Sequence, residues 1–318
     1  KDLMRKLQSV FAAAAAVLLM TSCAAPTRML PVPPLTELMK TRAEEFRASL
    51  AADPIRGTIL SENDLMFFAG RPVLLTERLA LLGMNRIYVM ADSTAIFENE
   101  SGAALEELVY AAANQKIGVE VVFPQGKFVQ MRSGNVFQRK YGEERPLFAA
   151  AEAARKFNDS LEDDAKLAGV GVIAEMHTFT LASPELPSNA LYLWGDKSYG
   201  IGHDNDVLMQ QMLVDFAHFR KLAGPDLPLT LAIPAFYHER AVAGDLSCGK
   251  VADFLAIADR VAVIGYGSRP TEFLESVTSE LASAGSEKRL LIGVNVAGHT
   301  SAHSAELRRR DWNDMAKI

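Results

Sequence analysis

Short apolar runs bounded by turn residues recur along the body of the chain, each with the length of a strand. They are Leu65–Phe68, Arg86–Met90, Val119–Phe123, Val170–Ala174, Leu229–Ile233, Val261–Ile264 and Leu290–Val294. Between them the apolar spacing becomes helical, over Leu74–Leu82, Ala103–Lys116, Pro146–Ala168, Val207–Leu222, Val251–Ala258 and Thr271–Ala284. Gly118, Gly224 and Gly285 stand just past three of these stretches, where a helix C-cap favours glycine.

Near-continuous apolar strands alternating with helices predict a parallel sheet covered by helices. Two α/β architectures satisfy that pattern: a (β/α)8 TIM-type barrel and a doubly wound open sheet. The first predicted strand is followed by Phe67-Phe-Ala-Gly-Arg-Pro72, which is not a G-x-G-x-x-G fingerprint. Loop lengths also separate the two. Connections after helices are terse, as at Gly83-Met-Asn85 and Gly224-Pro-Asp-Leu-Pro228, whereas Pro124–Gly142 and Thr178–Asp206 are long connections after strands. Long loops on one face of a short-looped scaffold read as a binding face. The expectation is a (β/α)8 TIM-type barrel. Only seven strand patterns are found. After Val294 come Asn295–Thr300 and a charged segment, so either the chain is truncated or the barrel lacks its last β/α unit.

Composition narrows the classes further. Hydrophobic residues make up 49% and charged residues 23% of the 318, which excludes a disordered or collagen-like chain. With 33 Lys+Arg against 39 Asp+Glu the net charge is −6, which argues against a nucleic-acid binder. Two cysteines cannot form a disulfide scaffold. No P-loop and no G-x-S-x-G occurs. His203-Asp-Asn-Asp206 superficially suggests a metal cluster, but neighbours in sequence rarely ligate together and a helix N-cap suits them better. No cofactor and no metal are expected.

The N-terminus reads as an address. Lys1, Arg5 and Lys6 precede the apolar run Val10–Met20, which is too short to span a bilayer and suits a secretory signal. The run ends in Met20-Thr-Ser-Cys23. This resembles a bacterial lipobox, in which small residues precede a cysteine that is lipidated. The resemblance implies a lipoprotein of the bacterial cell envelope, held in a membrane by acyl chains on Cys23. Ala24 rather than Asp after the cysteine implies the outer membrane. Pro26, Pro31, Pro33 and Pro34 then read as an extended tether. The expected organisation is 1–22 signal peptide, 23–57 tether and N-terminal helix, and 58–318 barrel.

Several stretches of the body, in order, carry a resemblance. They are Leu82-Gly-Met-Asn-Arg-Ile-Tyr-Val89, Lys116-Ile-Gly-Val-Glu-Val121, Gly171-Val-Ile-Ala-Glu-Met-His177, Leu227-Pro-Leu-Thr-Leu-Ala-Ile-Pro-Ala-Phe-Tyr237, Val261-Ala-Val-Ile-Gly-Tyr266 with Arg269, and Leu291-Ile-Gly-Val-Asn295. Together they resemble a group of bacterial glycoside-hydrolase-like TIM-barrel proteins, over about residues 60–300. The resemblance implies a carbohydrate substrate or ligand, with an acid/base Glu after the fourth strand and a nucleophile Glu after the seventh. Glycoside hydrolysis needs two carboxyls, one to protonate the leaving oxygen and one to attack or to activate water. Glu175 matches the first. Asn295 stands where the second is usual, and it cannot attack. The alternative is therefore an inactive glycan-binding or structural barrel.

The other site candidates come from the residues. Glu175 ends an apolar strand and His177 shares its side of the chain if extension persists. Tyr237 and Glu239 are read as ending the fifth strand, with Glu239 the candidate second carboxylate. Tyr266 and Arg269 end the sixth, where Arg269 would hold a carboxylate. Asp92 ends the second. Trp194 lies in the long loop, where an aromatic suits stacking on a sugar ring.

Overall fold

The computed structural model describes residues 55–125, 146–174, 205–264, 270–284 and 289–293, together with the helical residues Glu37, Lys40 and Thr41. Seven strands alternate with helices. They run β1 (Gly57–Ser61), α1 (Glu62–Phe68), α2 (Pro72–Leu81), β2 (Arg86–Met90), a 3-10 turn (Thr94–Phe97), α3 (Asn99–Asn114), β3 (Gly118–Pro124) and α4 (Pro146–Ser160). Then follow β4 (Gly169–Ile173), α5 (Asn205–Ala223), β5 (Leu229–Pro234), α6 (Ala235–Ala243), α7 (Val251–Leu255), β6 (Arg260–Ile264), α8 (Pro270–Ala284) and β7 (Leu290–Gly293).

Strands β2 to β7 fall within one residue of their expected ends. The first strand does not. Leu65–Phe68, expected as a strand, is helical, and the strand is the segment just before it. The cause is a capping box. Ser61 Oγ accepts from the Asp64 amide at 3.2 Å while the Asp64 carboxylate accepts from the Ser61 amide at 2.9 Å, so a helix starts immediately after β1.

The sheet order is β1-β2-β3-β4-β5-β6-β7, and every neighbouring pair is parallel. A doubly wound sheet reverses its strand order at a switch point. No reversal occurs among these strands. Partners in a parallel ladder share a face, so the register sorts the side chains. Leu60, Val89, Val121, Val170 and Leu229 lie on one face and join the apolar core with Leu105, Leu108, Ala150, Phe216 and Phe254 from the helices. No residue of the other face joins that core. The helices therefore cover one face, as right-handed crossovers in sequential order require.

The second face carries Ile59, Tyr88, Glu120 and Gly169 in one row, and Met90, Val122, Gly171, Thr230 and Arg260 in the next. The sheet curls around this face. Arg86 of β2 and Arg260 of β6 reach the same carboxyl oxygen of Glu120, at 3.4 and 3.1 Å. Among the described residues no ladder joins β7 to β1. Connections after helices stay short, as from Leu81 to Arg86 and Asn114 to Gly118. The chain between β3 and α4 runs over residues 125–145, and that between β4 and α5 over 174–204, both leaving the carboxyl ends of strands.

Candidate functional site

The concave face changes character along the strands. At the amino ends it is charged. Glu120, the third residue of β3, is fully buried. Its Oε1 lies between the Arg86 and Arg260 guanidiniums, and its Oε2 accepts from the Thr230 hydroxyl at 2.7 Å. Arg260 also donates to Thr230 Oγ1 at 3.3 Å and to the Ala168 carbonyl at 3.3 Å. Burial pushes the Glu120 carboxyl up, and Arg260, Arg86 and Thr230 pull it back. Tyr88 is raised to about 12, first by burial and then by Glu120, against the two arginines.

Space for these side chains comes from glycine. A Cβ at Gly57 would meet the Tyr88 ring at 2.5 Å, and one at Gly169 would meet the Arg260 guanidinium at 3.1 Å and the Glu120 carboxyl at 3.2 Å. At Gly118 a Cβ would crowd Arg86 in the same way. At Gly57 and Gly118 a neighbouring strand thus lays a long side chain over the position, whereas at Gly169 the nearest atom is the Pro228 carbonyl oxygen at 2.6 Å. In sheets of this kind reactive groups gather at the carboxyl ends of strands and the amino ends serve stability. The network is a polar plug. The sequence reading passed over it. Its signal was a lone Glu inside Val119-Glu-Val-Val-Phe123 and an Arg opening both β2 and β6.

Toward the carboxyl ends the same face turns apolar, with Met90, Pro124, Ile173, Pro234 and Ile264. Gln125, just past β3, is buried. The expected site residues divide among three places. Asp92 is exposed two residues beyond β2, and Ser93 rather than Asp92 caps the 3-10 turn, accepting from the Ala95 amide at 3.3 Å. Tyr237 and Glu239 do not end the fifth strand. That strand stops at Pro234, helix α6 begins at the next residue, and both lie on the helix. Tyr237 is fully buried, edge-on to Phe236 at 4.9 Å. Glu239 is exposed, and its charge acts on Glu280 of α8. Glu175, His177, Trp194, Tyr266, Arg269, Asn295 and Cys23 lie outside the described residues.

No group of three or more His, Cys, Asp or Glu able to hold a metal ion occurs among the described residues. No helix among them is long and apolar enough to cross a membrane.

No known protein family matches the chain, and neither does any curated protein. Solved structures do. GH5_18 from Streptomyces cattleya, solved with GlcNAc, aligns at 14% identity and a TM-score of 0.42 over 68% of this chain and 52% of that one. This chain thus spans about half the length of that structure. Xylanase B from Clostridium stercorarium F9 aligns at 13% identity and a TM-score of 0.42, over 86% and 83%. Orotidine 5'-monophosphate decarboxylase from Plasmodium berghei aligns at 9% identity and a TM-score of 0.36, over 86% and 76%. Likenesses at these TM-scores carry no argument about this chain, and they span proteins of different activity.

Proposed function

We propose that the chain is an envelope-anchored, glycoside-hydrolase-like barrel acting on a carbohydrate through Glu175 as general acid. The observation that carries this reading is the lopsided scaffold. The seven strands run parallel in sequential order, and both long connections leave their carboxyl ends. Glu175 follows directly on Ala174, the last described residue after β4. In β4, Gly171 and Ile173 have the concave parity, so continued extension would bring Glu175 and then His177 to that face. The sequence resemblance adds the acid/base role. Tyr266, Arg269 and Trp194 would contact the sugar.

The test is Glu175→Gln, which keeps the shape and removes the proton donor. Turnover on a panel of glycans should vanish while binding to the same glycans survives. Turnover unchanged by this substitution defeats the reading. The anchor has its own test. Cys23→Ser should move the protein out of the membrane fraction, and an unchanged distribution excludes lipidation there.

A second reading, a barrel that binds glycan without cleaving it, has one observation in its favour. Glu239, the candidate second carboxylate, sits exposed on α6, where its charge acts on Glu280 of the helical layer. Asn295 points the same way. If wild type turns over nothing and Glu175→Gln weakens glycan binding, this second reading holds.

A further inference from the structure

Backbone amides in a folded chain are mostly paired with backbone carbonyls. The segment of residues 247–251, between α6 and α7, departs from that in four of its five amides. The Ser247 amide donates to Asp206 Oδ1 at 2.6 Å. The Gly249 and Lys250 amides both donate to Asp253 Oδ2 at 2.8 Å. The Val251 amide donates to His238 Nδ1 at 3.2 Å. Four of five neighbouring donors thus rest on three titratable side chains, one each from α5, α7 and α6.

The Ser247 hydroxyl strengthens the first arm, donating to the Asp206 carboxylate at 2.7 Å, and Gln210 donates to both Asp206 and Ser247. Gly249 sits at φ +114 with a Cβ position 3.1 Å from Met209, so the loop lies close against α5. Asp206 is the second residue of α5, the helix that ends the 174–204 connection. The clip therefore fixes where that connection rejoins the scaffold.

We propose that His238 is an acid-sensitive arm of the 247–251 clip, whose protonation frees the Val251 amide at the start of α7 from α6 while Asp206 keeps the start of α5 in place. The trigger is a matter of donors and acceptors. Nδ1 accepts from Val251, so the imidazole is neutral with its proton on Nε2. An imidazolium has two donors and no acceptor, so protonation breaks this bond. His238 is nearly fully buried. Lys250, Glu239 and Asp253 are the charged groups that act on it. Asp206 faces the loop from α5, Glu280 faces Glu239 from α8, and β5 offers no titratable side chain. Burial and then Lys250 hold the imidazole below its ordinary value, against Glu239 and Asp253. A depressed value means that the bond is fully present above the ordinary imidazole pKa and is lost as pH falls through the folded one. The Ser247 hydroxyl and amide hold the Asp206 carboxyl below its own ordinary value, so that arm stays ionised down to about pH 5.

This inference does not rest on the carbohydrate reading. The experiment is amide hydrogen exchange on the full chain, corrected for intrinsic rates, from about pH 7.5 to about pH 5, across the imidazole range. In wild type the protection of the Val251 amide should fall about tenfold relative to β5, the loss of one buried hydrogen bond of ordinary strength. His238→Asn keeps an acceptor that does not titrate, and it should hold its protection throughout. Equal loss in both proteins, or loss in neither, overturns the proposal. Should the variant not fold, NMR of wild type decides instead. The His238 ring titration and the loss of Val251 amide protection should share one midpoint. A Val251 amide that stays protected through the ring titration overturns it.

Discussion

Two glutamates of this protein are both fully buried and have opposite surroundings. Glu120 lies on the concave face of the sheet, where two guanidiniums and a hydroxyl meet its oxygens. Glu280 lies on α8, and neither of its carboxyl oxygens has a hydrogen-bond partner on another of the described residues. Burial raises the pKa of both. At Glu120 the arginines and Thr230 oppose that rise, whereas at Glu280 only its own amide does, and Glu239 adds to it. Burial alone thus says little about what a carboxyl does for a fold. At Glu120 it is the sole anion among cations that cannot shed their protons. At Glu280 it is a polar group that the helical layer leaves unmatched.

The largest effect should come from Glu120→Ala. It leaves Arg86 and Arg260 facing one another, mostly buried, with no anion between them. Removing one member of a buried ionic group typically costs about 3–5 kcal/mol. The midpoint of urea denaturation should drop accordingly, with the slope unchanged. A loss of less than about 1 kcal/mol, the range of exposed pairs, would show that the network is solvated and that the sheet curls less tightly than the ion contacts imply.

Glu280→Met should act in the opposite direction. An unbranched apolar chain fills the same space and removes an unsatisfied buried group, which typically costs about 1–3 kcal/mol. The sign of its pH dependence follows from the raised pKa. A carboxyl raised in the folded state contributes stability that is fully present below its ordinary value of 4.5 and is lost as pH rises through the folded value. The advantage of the variant should therefore be greatest at neutral pH and shrink on acidification. Melting temperatures of both proteins across that range check it. A variant that is less stable than wild type at neutral pH would mean that Glu280 has a partner in solution.

Much of the scaffold was legible in the sequence, for reasons that can be named. Strands β2 to β7 are buried on the helical face and wear continuous apolar runs, so a period-free apolar stretch of strand length identified them. Strand β1 was not found because Gly57-Thr-Ile-Leu-Ser61 is a short edge segment whose Ile59 is 63% exposed. The apolar run after it is helical, and the capping signal Ser61-Glu-Asn-Asp64 was the feature able to arbitrate. Sequential strand order was expected, and the reversal that would have overturned it does not occur. The site was harder. Proximity across a curled sheet joins residues 86, 120, 230 and 260, which no spacing along the chain announces. The expected end of the fifth strand slipped because Pro234-Ala-Phe-Tyr237 continues the apolar run straight into α6.

Glu239→Gln should have the smallest effect, and it separates the two causes at work on Glu280. Burial is the larger, and among the described residues the Glu239 charge adds to it. Glu239 itself is exposed, so water screens its charge, and substitutions at such positions shift stability by no more than about 0.5 kcal/mol. The substitution should therefore leave the melting temperature at neutral pH nearly unchanged. It should also leave most of the stabilisation by Glu280→Met intact, because the double variant still removes the buried group. If Glu239→Gln alone recovers as much stability as Glu280→Met, then repulsion between the two carboxyls, and not burial, is what sets Glu280 apart from Glu120. Measured beside glycan turnover, the same variant bears on the second carboxylate. An exposed α6 residue that serves only its helix leaves turnover untouched, whereas a collapse of turnover with stability preserved would place Glu239 at the reacting bond.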